Sequence, residues 1–316
     1  MTLSLLVKSI TFEAEGIVSL DLRPEGGEKL PPFTAGAHID LALGPGLSRS
    51  YSLANPQDER HRYVIGVLYD SNSRGGSAAA HALKVGDEIR ISPPRNHFPL
   101  QKAGHTILVA GGIGVTPLLA MAEKLLSDGD SFDLHLCTRS SEHTPFAARW
   151  SAPELAGRVH FHHDGGEISR RLDFAELLGE AVAETQVYVC GPCGFIDAVL
   201  TAGRARGFTE AQLHREYFSA PVRQSSCDGA FSVILEKTGL TVVVPEGVTV
   251  VNALRQHGIE VAVSCEQGVC GSCLTRVTAG TPDHRDMFLT DEEHARNDQM
   301  TLCCSRSLTA SLTLDI

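Results

Sequence analysis

The hydrophobic pattern changes twice along the chain and divides it into three segments. In residues 1–102, apolar and polar positions alternate in short stretches separated by turn residues, which is typical of antiparallel strands. The predicted strands are Leu3–Ser9, Ile17–Arg23, His38–Leu43, Arg49–Leu53, Tyr63–Leu68 and Glu88–Ser92. We therefore expect a small antiparallel β-barrel over residues 1–102.

From Thr106 onward, strongly apolar strands alternate with helical patterns. The predicted strands are Thr106–Ala110, Phe132–Cys137, Val159–His163 and Gln186–Cys190. The predicted helices are Leu118–Leu126, Phe146–Trp150, Leu172–Leu178 and Phe195–Ala205. Such alternation indicates βαβ units, so residues 103–222 are predicted to form an α/β domain with a parallel sheet. Ligands of such sheets bind beyond the carboxyl ends of the strands.

The small and polar segment Ser219–Gly229 is predicted to be a linker to a third domain, residues 229–316. This domain is expected to contain a helix, a cysteine-rich loop and two strand pairs. The predicted elements are strands Phe231–Leu235 and Leu240–Val244, the helix Val250–Gln256, and a final strand pair at Thr301–Cys304 and Leu312–Asp315.

Composition and charge exclude several classes of protein. The 316 residues are 42% hydrophobic and 21% charged, as in ordinary globular proteins. The net charge of -11 opposes binding to nucleic acid phosphates. The longest apolar stretch, residues 107–122, is interrupted by glycines and a proline and is shorter than the roughly 20 residues of a membrane span. Residues 1–10 lack the order of a signal peptide, so we expect a cytoplasmic protein without a membrane anchor.

The spacing of four cysteines points to an iron–sulfur cluster. Cys265, Cys270 and Cys273 form C-x4-C-x2-C, and Cys303 follows after 29 intervening residues, which is the pattern of plant-type [2Fe–2S] proteins. Gly268 and Gly271, together with Ser264 and Ser272, provide the bends and hydrogen bonds that a loop around a cluster requires. A zinc site is the alternative, although zinc loops usually space their cysteines in close pairs. Cys304, adjacent to Cys303, is an alternative fourth ligand.

The barrel segment contains two short motifs that suit a flavin. They are RSYS, formed by Arg49, Ser50, Tyr51 and Ser52, and RGGS, formed by Arg74, Gly75, Gly76 and Ser77. A strand that offers an aromatic ring and a hydroxyl can hold the flavin ring. A glycine turn that opens a helix presents backbone amides to a phosphate, and an arginine supplies the opposite charge.

Two further motifs follow strands of the parallel sheet. GGIGVTP, residues 111–117, lets the backbone approach a pyrophosphate at a helix start, although it departs from the G-x-G-x-x-G pattern. Cys190-Gly191-Pro192-Cys193 makes a turn on which a nicotinamide can lie. The same four letters occur in thioredoxins, so redox-active thiols are an alternative interpretation. His162 and His163 are expected to be solvated or structural rather than metal ligands.

The order RSYS, RGGS, GGIGVTP, CGP and C-x4-C-x2-C…C resembles the phthalate dioxygenase reductase family, which includes vanillate O-demethylase reductases, over the whole chain. The resemblance implies a multidomain protein. Its parts are an FMN-binding antiparallel β-barrel (1–102), an NADH-binding α/β domain (103–222) and a C-terminal β-grasp ferredoxin domain with a [2Fe–2S] cluster (229–316).

The resemblance also assigns residues to each cofactor. The flavin residues are Arg49, Ser50, Tyr51, Ser52, Gly66, Val67, Leu68, Arg74, Gly75, Gly76, Ser77, Thr116 and Phe218. The NADH residues are Gly112, Gly114, Thr116, Pro117, Cys137, Thr138, Arg139, Cys190, Gly191 and Pro192, with Asp164 as a further neighbour. Thr116 is implied to lie near both the flavin N5 and the nicotinamide, and Phe218, otherwise a core phenylalanine, to cover the flavin ring.

The implied function is electron transfer from NADH through FMN and the cluster to the Rieske centre of a separate terminal oxygenase. NADH delivers two electrons as hydride whereas the cluster accepts one, so a flavin must stand between them, and no side-chain acid or base is required. The oxygenase is expected to bind transiently near Glu266 and Gln267, and the chain itself to be monomeric. Open alternatives are FAD with another acceptor such as a monooxygenase or a quinone, NADPH recognised by Arg139, and a zinc or redox-sensing module.

Overall fold

The computed structural model describes residues 2–71, 74–167, 172–219 and 229–316. The chain divides into two compact units, Met1–Glu216 and Tyr217–Ile316. The predicted linker Ser219–Gly229 lies largely outside the described residues. The predicted border at 102/103 lies inside the first unit, where one sheet ends and another begins.

Six antiparallel strands make up the first sheet. They are β1 (Leu3–Ala14), β2 (Ile17–Arg23), β3 (His38–Gly44), β4 (Leu47–Ser52), β5 (Tyr63–Leu68) and β6 (Glu88–Ile91), in the order β4-β3-β6-β1-β2-β5. An antiparallel bridge between Leu53 and Ile65 joins the two edges and closes the sheet into the predicted barrel. Val7, Leu20 and Ile39 are fully buried in its interior, as the alternation of apolar positions requires. The short helix α1 (Gly76–His81) lies between β5 and β6 in the chain.

The second sheet confirms the predicted α/β arrangement. Its strands are β7 (His105–Gly111), β8 (Phe132–Thr138), β9 (Val159–His163), β10 (Thr185–Gly191) and β11 (Leu213–Tyr217), in the order β11-β10-β7-β8-β9. The helices are α2 (Val115–Asp128), α3 (Ala147–Trp150), α4 (Phe174–Leu178) and α5 (Cys193–Ala205). The chain runs from β7 to β8 on one side and returns with β10 on the other, so the carboxyl ends of β7 and β10 flank the point where ligands of such sheets bind.

The hydrophobic core of the parallel sheet also includes three buried residues of the barrel segment, Ala35, Ala54 and Phe98, although the barrel interior forms a core of its own. Leu118 and Met121 of α2 are fully buried and belong to the same cluster as Leu108 and Tyr188 of the sheet. Phe98, which follows the last barrel strand, packs edge-on against Tyr188 with ring centroids 5.4 Å apart. These contacts hold the two sheets together in the first unit.

The second unit contains the predicted ferredoxin-like arrangement. Its elements are β12 (Phe231–Leu235), β13 (Thr241–Val244), α6 (Val250–Gln256), β14 (Leu274–Ala279), β15 (Pro282–Asp283), α7 (Asp291–Arg296), β16 (Gln299–Thr301), β17 (Arg306–Ser307) and β18 (Ser311–Leu314). The five-stranded sheet has the order β13-β12-β18-β14-β16, and its neighbours β12 and β18 run parallel. The fully buried Val250 and Leu254 of α6 belong to the same core as the strands, as in a β-grasp.

The predicted strand Thr301–Cys304 is wrong. The strand β16 ends at Thr301, and residues 302–304 form a turn. In addition, β16 and β18 both pair with β14 rather than with each other. Leu302 and Cys303 are apolar because they are buried around the cysteines, and a short apolar run does not distinguish a strand from a buried turn.

None of the helices among the described residues is both long and apolar enough to cross a bilayer.

Three histidines stack on the half-buried side of β8 and β9. The ring of His135 lies 4.8 Å from that of His160 and 5.3 Å from that of His162, and its Nδ1 is 3.1 Å from Nε2 of His162. Burial lowers the pKa of His135 to about 4; the two neighbouring histidines add to this shift, and Asp133 opposes it. Their hydrogen bonds and stacking make these residues structural, in agreement with the expectation for His162.

Acidification should therefore destabilise the first unit. Below pH 6.5, His135 is protonated in the unfolded state, whereas in the folded state it is protonated only near pH 4. The free energy of unfolding therefore decreases by ~1–3 kcal/mol as the pH falls from 6.5 to about 4. We expect His135→Asn to reduce the fall of the thermal unfolding midpoint between pH 7 and pH 4.5. The exposed His61→Asn serves as control; equal pH dependence in both variants would contradict the assignment.

Candidate functional sites

The two barrel motifs meet in the structure. A Cβ atom added to Gly76 would lie 2.5 Å from Cγ of Arg49, so the arginine packs directly on the glycine turn. One Arg49 Nη donates to the carbonyl of Arg74 at 3.3 Å, and Gly75 adopts a left-handed φ of 85° just before α1. The Arg74 side chain is exposed. A guanidinium beside the backbone of a glycine turn is an arrangement that suits a phosphate.

The hydroxyl of Ser77 has a structural partner. It donates to the carbonyl of Asp70 at 3.2 Å and accepts from the amide of the same residue at 3.1 Å. The residue thus holds the first turn of α1 against the chain that leaves β5.

The side chains of RSYS point alternately to opposite sides of β4. Ser50 donates to Asp40 at 2.7 Å, and Asp40 forms an ion pair with Arg95. Tyr51 is half-buried, and burial raises its pKa to about 12, so its phenol is neutral at physiological pH. Ser52 is buried and donates to Glu216 at 3.3 Å.

Glu216 is the residue of this site that the sequence analysis missed. It lies on β11, and burial raises the pKa of its carboxyl to about 8, while the hydrogen bond from Ser52 opposes the shift. The carboxyl also lies close enough to Cys190 to raise the pKa of that thiol. In the sequence, the feature that could have identified Glu216 is its position directly before the aromatic pair Tyr217-Phe218.

The barrel approaches the parallel-sheet segment closely at Gly66, and two turns of that segment approach each other at Gly114. A Cβ on Gly66 of β5 would lie 2.7 Å from Cγ2 of Thr116, whose hydroxyl donates to the carbonyl of Ile113 at 3.1 Å. A Cβ on Gly114 would lie 2.2 Å from the carbonyl oxygen of Cys190. The predicted flavin strand, GGIGVTP and CGP are therefore in contact at one place.

The turns after β7 and β10 also touch. A Cβ on Gly191 would lie 3.0 Å from Cα of Gly111, and one on Gly111 would lie 3.0 Å from Cδ of Pro192. Gly112 has a left-handed φ of 55°, and Pro117 is buried in the first turn of α2. These turns line the carboxyl end of the sheet at the predicted nucleotide position.

The structure contradicts a redox-active role for the CGPC thiols. Cys190 is fully buried, and burial raises its pKa well above the ordinary value, which is opposite to the shift of a reactive thiol. Cys190 and Cys193 form no disulfide, and Cys193 is the first residue of α5.

The predicted ribose residues lie next to this point. Cys137 pairs with Gly111 across β7 and β8, and burial raises its pKa to about 12. The Thr138 hydroxyl lies 2.8 Å from that of Thr144 and 3.0 Å from Nδ1 of His163. Arg139 is exposed, and its carbonyl accepts from the amide of Gly165 at 2.9 Å.

Three other predicted flavin positions have different surroundings. Val67 points into the barrel core, so its backbone is the part available to a ligand, whereas Leu68 is 40% exposed. Phe218 belongs to the second unit and is 37% exposed; its expected place over a flavin ring stays a prediction.

The four predicted cluster ligands come together in the second unit. The Cys265 thiol is within hydrogen-bonding reach of Cys270 and Cys303, and Cys303 is also within reach of Cys273. All four are at most 8% exposed. The backbone amide of Gln267 donates to Sγ of Cys265 at 3.3 Å, and that of Cys265 to Sγ of Cys270 at 3.5 Å. Amides aimed at sulfur are what a bound iron–sulfur cluster requires.

Gly268 and Gly271 have the conformations that the sequence analysis expected. Their φ angles are 72° and 68°, in the left-handed region. A Cβ on Gly271 would lie 2.3 Å from the ring of Phe288, and one on Gly268 would lie 2.4 Å from Sγ of Cys304. Glycine is therefore required at both positions to close the loop around the thiols.

The sulfur geometry fits two metal ions better than one. A tetrahedral zinc ion binds sulfur at 2.3 Å, which would set all four sulfur atoms about 3.8 Å apart. Among the described residues, no three of the four thiol sulfur atoms lie mutually within 4.8 Å. The group of ligand atoms that does meet this distance belongs to other side chains. The thiols instead form a chain of contacts, Cys270 with Cys265, Cys265 with Cys303 and Cys303 with Cys273, which is compatible with a binuclear cluster.

The Cys304 thiol is within hydrogen-bonding reach of Cys303, and its other hydrogen-bonding partners are hydroxyls. Its Sγ lies 3.2 Å from the Thr301 hydroxyl and 3.9 Å from that of Ser305. Cys303 is within reach of two predicted ligands, so the geometry favours Cys303 as the fourth ligand.

The two predicted docking residues lie on the cysteine loop. Glu266 has an unusual left-handed φ of 51°, and its carboxylate is 3.7 Å from Nη2 of Arg255. The ion pair partly offsets the negative charge of Glu266.

Comparison with known proteins supports both sites. Residues 233–308 match the family model of the 2Fe-2S iron-sulfur cluster binding domain. The chain is 50% identical over 314 residues to a vanillate O-demethylase oxidoreductase of Pseudomonas putida, covering 98% of this chain and 99% of that protein. It is 45% identical over 316 residues to one of Pseudomonas sp. strain HR199, covering 99% and 100%.

A solved structure is also similar over its full length. It is that of phthalate dioxygenase reductase, described as a modular structure for electron transfer from pyridine nucleotides to [2Fe–2S]. The TM-score is 0.78 at 38% identity, and the match covers 100% of this chain and 98% of that one.

Substitution of the two adjacent cysteines distinguishes the fourth ligand. We expect Cys303→Ser to lose most of the visible absorbance of the cluster and its iron, because an essential thiolate is removed. Cys304→Ser should keep both iron and absorbance. Iron content per chain and the visible spectrum provide the measurement, and the reverse pattern would make Cys304 the ligand.

Proposed function

Because the chain belongs to the family of vanillate O-demethylase oxidoreductases and phthalate dioxygenase reductases, we propose that it is the reductase component of a two-component Rieske-type oxygenase or O-demethylase. In this function it accepts electrons from NADH and passes them through FMN and a [2Fe–2S] cluster to a separate terminal oxygenase. The observation that carries the proposal is the presence in one chain of two sites. One is the contact between barrel and sheet at Gly66 and Thr116, and the other is the set of four buried thiols.

The residues of the barrel fit an FMN. Arg49 and the Gly75-Gly76 turn would hold its phosphate, and the half-buried Tyr51 would pack on its ring. When bound, the cofactors supply the chemistry: NADH gives a hydride, and the flavin passes the two electrons singly to the cluster.

Thr116 has a positioning role in this proposal. Its side chain is 2% exposed and its hydroxyl is held by Ile113, so it sets the distance between β5 and the start of α2 without exchanging a proton. Glu216 holds the hydroxyl of Ser52 in the same region. Because burial raises the pKa of Glu216 to about 8, its carboxyl is largely protonated at neutral pH, and this region would hold FMN without a buried carboxylate charge.

The nucleotide would lie along the carboxyl ends of β7, β8 and β10. Gly112, Gly114 and Pro117 provide the backbone turn for its phosphates, and Cys190, Gly191 and Pro192 provide the surface for the nicotinamide. Cys137, Thr138 and Arg139 would contact the ribose at the adjacent strand end. We propose NADH rather than NADPH because the resemblance favours NADH, although the exposed Arg139 is the residue that could meet a 2′-phosphate.

The oxygenase would bind transiently. We propose three functional modules, 1–102, 103–222 and 229–316, in a monomer whose cysteine loop, with Glu266 and Gln267, meets the partner. Redox encounters of this kind bury little area and depend on charge.

An anaerobic absorbance titration with NADH tests the proposed function. Flavin and cluster bands should bleach together in the full chain, whereas in Cys303→Ser the flavin alone should bleach. Cluster bands that stay oxidised while the flavin is reduced would reject the internal electron path. Flavin released by acid should have the mass of FMN; FAD would support the alternative reductase.

Arg49→Gln should weaken flavin binding at least tenfold, because a charge-assisted hydrogen bond to phosphate is removed. Arg90→Gln, an exposed arginine of β6, is the matched control and should bind flavin normally. Flavin fluorescence on release provides the dissociation constant. If Arg49→Gln holds FMN as tightly as the control, the phosphate lies elsewhere.

A further inference from the structure

The second unit contains a cluster of ligand atoms that the electron path does not use. His284 follows β15, Asp286 lies in the next loop, and His294 is on α7. One atom from each side chain lies within 4.8 Å of the other two. The set comprises two imidazoles and a carboxylate.

The carboxylate is oriented by the backbone. The Asp286 side chain is fully buried, and its Oδ2 accepts from the amide of Leu289 at 2.8 Å. Its Oδ1 is directed to the histidines, at 3.3 Å from Nε2 of His294 and 3.8 Å from Nδ1 of His284. A further contact of Oδ1 is the Ser305 hydroxyl at 3.4 Å. Metal-binding carboxylates commonly have one oxygen held by a hydrogen bond while the other oxygen faces the metal.

The buried ring of His284 also points to a bound ligand. Its side chain is 9% exposed, and within the described part of the chain neither ring nitrogen makes a hydrogen bond of normal geometry. The side chain of Asn297 interacts with the ring. Burial and the neighbouring His294 lower the pKa of His284, which favours the neutral ring, in which one nitrogen keeps a free lone pair.

A purely structural cluster explains these contacts less well. His294 makes a long hydrogen bond to Asp286, with 3.3 Å between Nε2 and Oδ1, whereas Nδ1 of His284 lies 3.8 Å from the same oxygen, beyond hydrogen-bonding distance. The two rings instead lie face to face at 4.4 Å with nitrogens near the same oxygen. A tetrahedral ion bound at about 2.1 Å sets its ligand atoms about 3.4 Å apart, close to the observed spacing.

We propose that His284, Asp286 and His294 bind a divalent transition-metal ion. Two histidines and one carboxylate are a common ligand set for such ions, and leave positions open for water. His294 is 25% exposed, which gives the ion a path from solvent.

This site is attached to the cysteine loop. The amide of Met287 donates to the carbonyl of Gly268 at 3.0 Å, and a Cβ on Gly268 would lie 3.0 Å from Cα of Asp286. A bound dication would therefore act on the cluster electrostatically and raise its reduction potential.

Zinc is the probe for the test. The untagged holoprotein is incubated with Zn²⁺ and desalted, and zinc and iron are counted by mass spectrometry, with affinity from competition against a chromogenic chelator. We expect one zinc per chain with both irons retained, and a rise in the cluster potential. His294→Ala should weaken zinc binding at least tenfold, while the exposed His257→Ala of the same unit should not.

Asp286→Asn provides a second variant, and full iron content verifies that each variant is folded. Zinc that is not retained, or is retained equally by His294→Ala and His257→Ala, overturns the proposal. If zinc is bound only when iron is lost, the zinc occupies the cysteines, and this result also overturns the proposal. NADH reduction of the flavin is measured separately and tests the proposed function independently.

Discussion

The close backbone approach at Gly66 and Gly114 is the constraint on which the first unit depends. Any side chain at Gly114 would overlap the carbonyl of Cys190, and one at Gly66 would overlap Thr116. Because these two glycines leave no space, the barrel strand β5 and the carboxyl ends of β7 and β10 meet directly. In the proposed function, the flavin and the nicotinamide would bind to these elements, whose direct contact suits the close approach that hydride transfer requires.

The second unit depends on a different property of glycine. Gly268 and Gly271 allow a short loop to turn its amides toward buried thiols in a left-handed conformation. The loop is held from outside by Asp286 and Met287, whose backbone lies against Gly268. Burial of the thiols excludes water, and the amides stabilise negative charge on sulfur, so both features tune a cluster toward one-electron exchange.

Helices and strands were predictable from the sequence wherever apolar residues recurred at a clear helical or strand spacing. The strands Ile17–Arg23, Tyr63–Leu68 and Val159–His163 and the helix Val250–Gln256 have the predicted bounds. The polar helix α7 and the strand β11 were missed, although the Thr290–Glu293 capping box signals the start of α7. The error at Thr301–Cys304 arose because burial around the thiols produces the same apolar letters as a strand.

The sequence by itself determined the order of the segments, the cysteine spacing and the glycines of each motif, because these depend on local geometry and ligand chemistry. The tertiary structure alone decided which distant residues meet: Arg49 with Gly76, Ser52 with Glu216, and Cys303 with Cys265. It also decided that Cys190 is fully buried and that burial raises the pKa of its thiol. Such contacts join residues far apart in the chain, and their existence and pKa values depend on packing and burial that no local pattern encodes.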